Sequence, residues 1–478
     1  MPAWSCDTLV ALPSTEGEPV LLGKNSDRPV FDAQPLRFFP RRSASGAGRL
    51  PLAYVELPEA AESFAHLGGS PYWCWGHEIG LSERGVAIGN EALFTRDVAA
   101  NIAATNRGEV LPRGILGMEL VRLGLERGRS AEDAVEVMAE LVQRYGQWGS
   151  GVPGRAPVEG AYDNSYLVAD SREAWVLETS GRRWAAKRID RGTYAISNQP
   201  TIRRSWDAGS PDLLAHAVRS GWWPEQRGEL DFARAYTDPA VPLQASHLRL
   251  SRSRQLLAEA TDLGGVDVPG IKRILRDHYE DTFLNGPYFT AALPDFLSLC
   301  MHSHPAGFTW GNTASSSVCV LPREGEGLPH LWWTPLTPCT GVYLPVFVAA
   351  GTVPEDFTRA GATAARARPE DAAPDSFSSD SYWWRFHQLL EAVKGDALGW
   401  DFDDRRPIVR AAFDPLEARW AARLPEVEKQ ALELIGQGAG TRAAAELARF
   451  TDDCAREATA VLTELLDGFG IPTGEGRA

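Results

Sequence analysis

A single cysteine near the start of the sequence, Cys6, lies just before an apolar run that predicts a buried strand. A second apolar run leads into a polar cluster from Lys24 to Arg28 (Lys-Asn-Ser-Asp-Arg). A free cysteine is often a small core residue, and a polar cluster after a strand is often a turn. A thiolate is also a strong nucleophile when a nearby group takes its proton or lowers its pKa. The two features together raise the hypothesis of a cysteine nucleophile.

A base for Cys6 would be available if the chain were cut immediately before this residue. The α-amino group of an N-terminal cysteine lies beside its sulfur and titrates at about pH 7.7 to 8.0. It can therefore take the thiol proton near neutral pH and later give it to a leaving amine. Removal of Met1 alone would expose Pro2, so this chemistry requires loss of residues 1–5, by self-cleavage or by a helper protease.

Four motifs in the first part of the chain extend the pattern around Cys6. They are Cys-Asp-Thr-x-Val-Ala-Leu-Pro, Gly-Lys-Asn-Ser-Asp-Arg, Trp-x-Trp-Gly-x-Glu-x-Gly and Gly-Val-x-Ile-Gly-Asn-Glu-Ala. In this order they resemble the secernin group of dipeptidase-like cysteine hydrolases. The later matches are Leu-Val-Arg-Leu-Gly-Leu-Glu-Arg-Gly, Asn-Ser, Ile-Ser-Asn-Gln and Gly-Trp-Trp. The resemblance covers about residues 1–345.

The resemblance implies an α+β fold of the N-terminal-nucleophile hydrolase class, a four-layer αββα sandwich. It implies hydrolysis of small peptide or amide C–N bonds without a cofactor. Cys6 matches the nucleophile, and Asp27 matches the aspartate that orients the α-amine. Lys24 stands where the related bile-salt hydrolases and penicillin V acylases have arginine, so it would supply charge without a bidentate fork.

The remaining site residues are also implied by the resemblance. Asn90 matches the asparagine that donates to the oxyanion, and Asn198 matches a second, later asparagine. The distal arginine is predicted to be Arg252, with Arg249 as the alternative because the local sequence does not fix the register. The predicted substrate-binding residues are Arg28, Trp75 and Asn164.

A second motif that could carry chemistry is Cys-Met-His-Ser-His, which begins at Cys300. Alternate residues of a strand face one side, so its cysteine and two histidines could converge on a metal. One strand rarely supplies a whole site, and no further ligand motif is evident in the sequence. We therefore expect a pocket or surface role for this segment and no metal in the protein.

The elements that must position these residues follow from the apolar patterns. Short alternating runs with turn residues predict antiparallel strands up to about residue 93 and again over 164–197, with helices over 114–126 and 131–145 between them. The sequence predicts a hydrolase domain over 1–351 and a Pro-, Ala-, Asp- and Ser-rich linker or lid over 352–380. A helical C-terminal extension is predicted over 381–478, and its surface is a candidate for homo-oligomer contacts.

The charge and composition exclude several classes of protein. The net charge of −15 disfavours nucleic-acid and anionic-membrane partners. The six cysteines form no Cys-x-x-Cys pair, which fits a reducing cytosol, and no signal peptide or membrane span is apparent. We expect a cytoplasmic enzyme acting on a small peptide or amide. Two alternatives stay open: an acyltransferase that uses the same acyl-thioester, and a non-catalytic binding or scaffold protein with an unprocessed N-terminus.

Overall fold

The fold is built around two antiparallel sheets that face each other. The computed structural model describes residues 5–471 apart from 45, 47, 110–112, 242, 286–289, 295, 306–308 and 310. Residues 1–4 of the predicted propeptide and residues 472–478 of the predicted extension therefore lie outside the described part of the chain.

The first sheet carries Cys6 at the start of its second strand. Its strands, in spatial order and within the described residues, are β14 (Thr193–Ile196), β1 (Cys6–Ala11), β2 (Val20–Pro29), β16 (Gly311–Leu321), β17 (His330–Pro335) and β18 (Leu344–Phe347). The β1–β2 hairpin places Cys6 opposite Ser26 and Thr8 opposite Lys24. Strand β2 runs straight through the polar cluster that also resembled a turn, and the cluster is buried along its length.

The second sheet covers the first. In spatial order and within the same described residues it contains β15 (Ala208–Gly209), β13 (Arg183–Ile189), β12 (Ala174–Ser180), β11 (Asp163–Ala169), β10 (Ala87–Leu93), β9 (Ile79–Ser82), β8 (His66–Gly69) and β3 (Leu36–Phe39). Two small ribbons pair β4 (Arg42–Ser43) with β7 (Glu62–Ser63), and β5 (Arg49–Pro51) with β6 (Glu56–Pro58).

Side-chain alternation along the second sheet separates two apolar layers. On β11, Leu167 faces the core between the sheets, whereas Tyr166 and Val168 face the outer helices. This is the period of two expected of a strand buried on both faces.

Helices lie on the outer face of each sheet. The described helices are α1 (Arg96–Asn106), α2 (Gly117–Arg127), α3 (Ala131–Tyr145), α4 (Pro157–Gly160), α5 (Leu213–Arg219), α6 (Phe232–Tyr236), α7 (Gln244–Asp262), α8 (Val268–Leu275), α9 (Glu355–Thr358), α10 (Tyr382–Lys394), α11 (Phe402–Gly436) and α12 (Gly440–Gly468). Helices α2 and α3 pack on the second sheet, and α7 and α8 pack on the first. The predicted αββα sandwich with a helical C-terminal extension is confirmed.

The segment predicted as a linker or lid runs along the body of the molecule as a bound strap. The Tyr72 hydroxyl donates to the Ala373 carbonyl over 2.5 Å, and the Tyr54 hydroxyl donates to Glu370 over 2.6 Å. The helices that follow also contact the sandwich, since the Trp383 indole donates to the Ala314 carbonyl on β16 over 2.7 Å. Among the described residues, no helix is both long and apolar enough to cross a membrane.

Candidate active site

Cys6 lies at the start of strand β1, with its backbone held by residues from distant parts of the chain. The Asn198 side-chain oxygen accepts a hydrogen bond from the Cys6 N–H at 3.1 Å. The Arg249 guanidinium donates to the Cys6 carbonyl at 2.9 Å and to the Asn198 oxygen at 2.7 Å. Arg249 also pairs with Asp7 over 2.5 Å. The N–H of Cys6 is therefore fixed by the loop after strand β14, and its carbonyl is fixed by helix α7.

The thiol of Cys6 is buried against β2. Its sulfur accepts a hydrogen bond from the Asp27 backbone N–H at 3.3 Å, and the residue is only 7% exposed. Burial raises the pKa of the Cys6 thiol well above its ordinary value, and the positive charge of Lys24 opposes this shift. In the intact chain the thiol is therefore protonated, and its activation needs a base.

The Asp27 carboxylate has two hydroxyl donors. The Ser5 hydroxyl donates to one oxygen and the Thr313 hydroxyl donates to the other, each over 2.6 Å. Burial raises the pKa of Asp27, while the charge of Arg249 and these two hydrogen bonds lower it. The carboxylate thus faces the residue that directly precedes Cys6.

Lys24 bridges the two sheets beneath Cys6. Its ammonium donates to the Asn90 carbonyl on β10 and lies 3.4 Å from the Glu91 carboxylate. Gly89 permits this approach, because a Cβ there would lie 2.9 Å from the Lys24 side chain and 3.1 Å from the Thr8 hydroxyl. Burial lowers the pKa of Lys24, but negative charge on Cys6, when it is a thiolate, and on Glu91 outweighs burial and raises the pKa overall.

The side chain of Asn90 lies in a polar row across the second sheet. Its amide is 3.0 Å from the Asn164 oxygen, and turning the amide over lets its nitrogen donate to the Glu78 carboxylate at 2.9 Å. The Asn164 amide in turn donates to Gln147 over 2.7 Å. Asn90 and Asn164 thus contact each other directly.

The structure corrects the register of the distal arginine. Arg249 contacts Cys6, whereas Arg252 points away and forms a bidentate pair with Asp277, its shortest N–O distance being 2.6 Å. Both arginines lie on helix α7, three residues apart, so a small rotation of the helix decides which one reaches β1. The prediction of Arg252 was wrong, and its alternative, Arg249, occupies the position.

Two of the three predicted substrate-binding residues have other surroundings. Arg28 is buried between the carboxylates of Asp32 and Glu78, at 2.6 Å and 3.1 Å, so its charge is neutralised inside the protein. Trp75 packs against the core between the second sheet and its outer helices, with Arg122 stacked 4.0 Å from its ring centre. Neither is in contact with Cys6 in the described structure.

Sequence reasoning assigned no role to four residues that surround the site. Glu78 and Glu91 were present in the quoted motifs but received none, although both lie within electrostatic reach of Cys6. Asp7 follows Cys6 directly and holds Arg249. Thr313 left no sequence signal, because only the pairing of β16 with β2 brings it opposite Asp27.

Part of the chain matches a known peptidase family. The model of peptidase family C69 matches residues 55–238. The matched segment is less than half of the chain. The predicted dipeptidase-like family is confirmed, and the secernin group is consistent with it. The C69 segment contains Asn90, Asn164 and Asn198, whereas Cys6 and Asp27 precede it.

Two curated proteins similar to this chain carry the name of a dipeptidase. A protein called "Probable dipeptidase" from Salmonella dublin is 29% identical over 177 residues, which is 32% of this chain and 41% of the relative. A second "Probable dipeptidase", from Latilactobacillus sakei, is 23% identical over 199 residues, or 40% of this chain and 38% of the relative. The chain thus matches about two fifths of the length of these relatives.

Solved structures similar to this chain are more distant. A variant of the conjugated bile acid hydrolase from Clostridium perfringens aligns with a TM-score of 0.37 and 13% identity, over 68% of this chain and 88% of that one. The Caenorhabditis elegans orthologue of N-acylethanolamine-hydrolyzing acid amidase aligns with a TM-score of 0.32 and 12% identity, over 66% and 92%.

Proposed function

We propose that this chain is a cysteine peptidase that hydrolyses the amide bond of dipeptides and similar small amides, with Cys6 as the nucleophile. The observation that carries the proposal is the double clamp on the Cys6 backbone by Asn198 and Arg249. A structural thiol needs no such clamp, whereas a nucleophile must be held in a fixed orientation. The family C69 match and the names of the relatives support the same reaction class.

The surroundings of Ser5 and Asp27 support removal of residues 1–5. Ser5 is buried, and its hydroxyl occupies one oxygen of the Asp27 carboxylate. Loss of Ser5 would free that oxygen and turn the Cys6 backbone nitrogen into an α-ammonium group. Asn198 already accepts from this nitrogen, and Asp27 would provide a second, charged acceptor nearby. In this proposal the Ser5 hydroxyl occupies the position on Asp27 that the α-ammonium group takes after cleavage.

In the proposed reaction the α-amine takes the thiol proton, and the Cys6 thiolate attacks the substrate carbonyl carbon. A C–S bond forms, and the carbonyl electron pair moves to oxygen, where Asn90 and a backbone N–H donate to it. As the oxyanion collapses the C–N bond breaks, and the α-ammonium gives its proton to the leaving amine. Water then attacks the thioester, with the α-amine again taking a proton, and releases the acid and the thiol. Lys24 would stabilise the thiolate electrostatically.

Comparing wild type with Cys6→Ala on a panel of unmodified dipeptides tests this proposal. We expect wild type to release free amino acids and Cys6→Ala to lose at least about 10³-fold in kcat/KM, as expected for loss of a nucleophile. Cys454→Ala, which changes another buried cysteine on α12, is the matched control and should retain activity. Equal rates for Cys6→Ala and wild type would contradict the proposal.

Adding an acceptor amine to the same assay separates hydrolysis from acyl transfer. A hydrolase releases the free acid as the main product at every amine concentration tested. If the amide of the added amine became the main product, the chain would instead act as an acyltransferase through the same thioester.

A further inference from the structure

Four side chains with metal-binding atoms converge outside the catalytic centre. His278 follows helix α8, Cys300 and His302 precede strand β16, and Cys339 follows strand β17. Their ligand atoms all lie within 4.8 Å of one another, and all four residues are buried. The cluster thus joins three separate segments of the chain.

The distances from His302 to the other three ligand atoms are close to those of a tetrahedral site. The His302 Nε2 atom lies 3.2 Å from His278 Nε2, 3.3 Å from the Cys339 sulfur and 3.7 Å from the Cys300 sulfur. A tetrahedral zinc ion with bonds of about 2.1 Å to nitrogen and 2.3 Å to sulfur separates its ligand atoms by about 3.3 to 3.8 Å. The three distances from His302 Nε2 are therefore close to those expected around such an ion.

Hydrogen bonding alone does not account for this arrangement. The Nε2 atom of His302 can donate one hydrogen or accept one hydrogen bond, depending on the tautomer. It nevertheless faces three polar atoms at 3.7 Å or less, namely those of His278, Cys300 and Cys339. A cation at the centre would accept an electron pair from all four ligand atoms at once.

A carboxylate next to His278 is a second, independent observation that favours a metal site. Its Nδ1 atom lies 3.0 Å from the Glu280 carboxylate, which points Nε2 toward the cluster. A carboxylate on the far nitrogen is the usual outer partner of a histidine that binds a metal. Arg406 lies 3.3 Å from the same carboxylate oxygen and balances its charge. Two thiolates would likewise balance a divalent cation.

We propose that His278, Cys300, His302 and Cys339 bind one Zn²⁺ ion in a closed, structural site. A donor set of two thiolates and two imidazoles favours zinc over oxygen-preferring cations such as Mg²⁺ or Ca²⁺. Since four protein ligands fill the coordination sphere, the ion would stabilise structure and take no part in the peptidase reaction. The ion could enter through a groove of about 600 Å³ that Cys339 lines together with Asp277 and Arg406.

The proposed ion would support the catalytic centre through one short chain of contacts. Met301 lies between Cys300 and His302 in the sequence, and its N–H donates to the Thr313 hydroxyl at 2.9 Å. The Thr313 hydroxyl in turn donates to Asp27 at 2.6 Å. An ion that fixes Cys300 and His302 would therefore also fix Thr313, which donates to Asp27.

The expectation from sequence of a metal-free pocket or surface segment is revised by this proposal. The Cys-x-His pair was visible, but its partners lie 24 residues before His302, at His278, and 37 residues after it, at Cys339. No compact ligand motif links these positions, so only the fold brings them together.

Metal analysis of the purified full-length protein tests the proposal. We expect about one zinc per chain after exhaustive dialysis, as for one closed four-ligand site. Replacement by Co²⁺ should give the sulfur-to-cobalt charge-transfer absorption and the strong visible bands of tetrahedral cobalt. Both measurements use the wild-type chain, so they do not depend on a variant that folds.

Variants then assign the ligands. Cys339→Ala should lose the zinc and the cobalt–thiolate absorption, whereas Cys319→Ala should keep both, since Cys319 is a buried cysteine of β16 outside the cluster. A folded wild-type chain with substoichiometric zinc and no cobalt–thiolate absorption would overturn the proposal. A Cys300–Cys339 disulfide found by mass spectrometry would overturn it as well.

Discussion

At the scale of single residues, Arg249 fixes the backbone of Cys6. This side chain is fully buried and joins the Cys6 carbonyl, Asn198 and Asp7. A lysine would keep the charge but lose the fork that contacts several oxygens at once.

We therefore expect Arg249→Lys to lower kcat/KM by about 30- to 150-fold, which corresponds to about 2 to 3 kcal/mol for a charge-assisted hydrogen bond. Dipeptide kinetics and circular dichroism would separate lost activity from lost fold. Arg252→Lys is the matched control on the same helix, and we expect its kcat/KM to change less than about 3-fold. An equal loss in the two variants would contradict the assignment of Arg249.

The sequence predicted most of the residues around Cys6 because they occur in short motifs. Asp27 and Asn198 contact Cys6, and the positive charge of Lys24 acts on its thiol. Thr313 was not predictable, since its contact with Asp27 depends on strand pairing between residues far apart in the sequence. The choice between Arg249 and Arg252 depended on the rotation of a helix, which composition does not specify.

At the scale of elements, the close approach of strand β10 to the first sheet positions Lys24. Gly89 leaves no room for a side chain at this crossing, where an added Cβ would lie 2.9 Å from buried Lys24. We expect Gly89→Ala to lower the free energy of unfolding by about 1 to 3 kcal/mol, as is usual for overpacking, and to lower kcat/KM as well.

Gly69→Ala on strand β8 is the matched control for this crossing. Its added Cβ would lie 3.6 Å from the nearest atom, an ordinary contact, so we expect a smaller loss of stability. Urea unfolding of both variants measures the difference. If Gly69→Ala were the more destabilising change, the close approach at Gly89 would not be the constraint we describe.

Asp163, the first residue of strand β11, makes the stability of the folded chain depend on pH. Asp163 receives hydrogen bonds from Thr95 and the Gly181 N–H, and burial raises its pKa to about 8. Its ordinary pKa in an unfolded chain is about 3.9. Between these values the folded chain keeps a proton that the unfolded chain has lost, so the contribution of Asp163 to stability falls as the pH rises.

We expect Asp163→Asn to remove this part of the pH dependence. From pH 5 to pH 8, the free energy of unfolding of wild type should fall relative to that of the variant by up to about 1.4 kcal/mol per pH unit. Urea unfolding at several pH values measures it. In the control, Asp231→Asn, the slope over this range should stay that of wild type, because Arg203 lowers the pKa of Asp231 below its ordinary value.

Element boundaries were predictable where apolar patterns dominate. Helix α3 was predicted with the bounds it has, 131–145, because Ser130 caps its start and Gly146 ends it. Only the start of strand β2 was predicted, from the apolar run before Lys24, because the polar residues after it do not fit an apolar pattern. Their side chains are buried between the sheets and bonded there, which a propensity argument cannot anticipate.

At the scale of the whole molecule, the C-terminal helices are fastened to the sandwich by buried charge. Glu417 of helix α11 accepts from Lys272 over 3.1 Å, from Arg276 over 2.5 Å and from the Tyr343 N–H over 3.0 Å. These partners lie on α8 and next to β18, so the helical extension and the sandwich share one ion cluster.

We expect Glu417→Gln to lower the free energy of unfolding by about 3 to 5 kcal/mol, because it leaves buried Lys272 and partly buried Arg276 without their carboxylate. Differential scanning calorimetry should show one cooperative transition at a lower Tm. Glu457→Gln on α12 breaks the more exposed pair with Arg419 of α11 and should cost less than about 1 kcal/mol. Two separate transitions would contradict the shared cluster.

The measurement that tests the central claim most directly is the intact mass and N-terminal sequence of the purified full-length protein. We expect the chain of the active enzyme to begin at Cys6. If Cys6 itself cuts the bond, Cys6→Ala will keep residues 1–5. An active chain that still carries residues 1–5 would contradict the account, since its thiol would lack the α-amine that activates it.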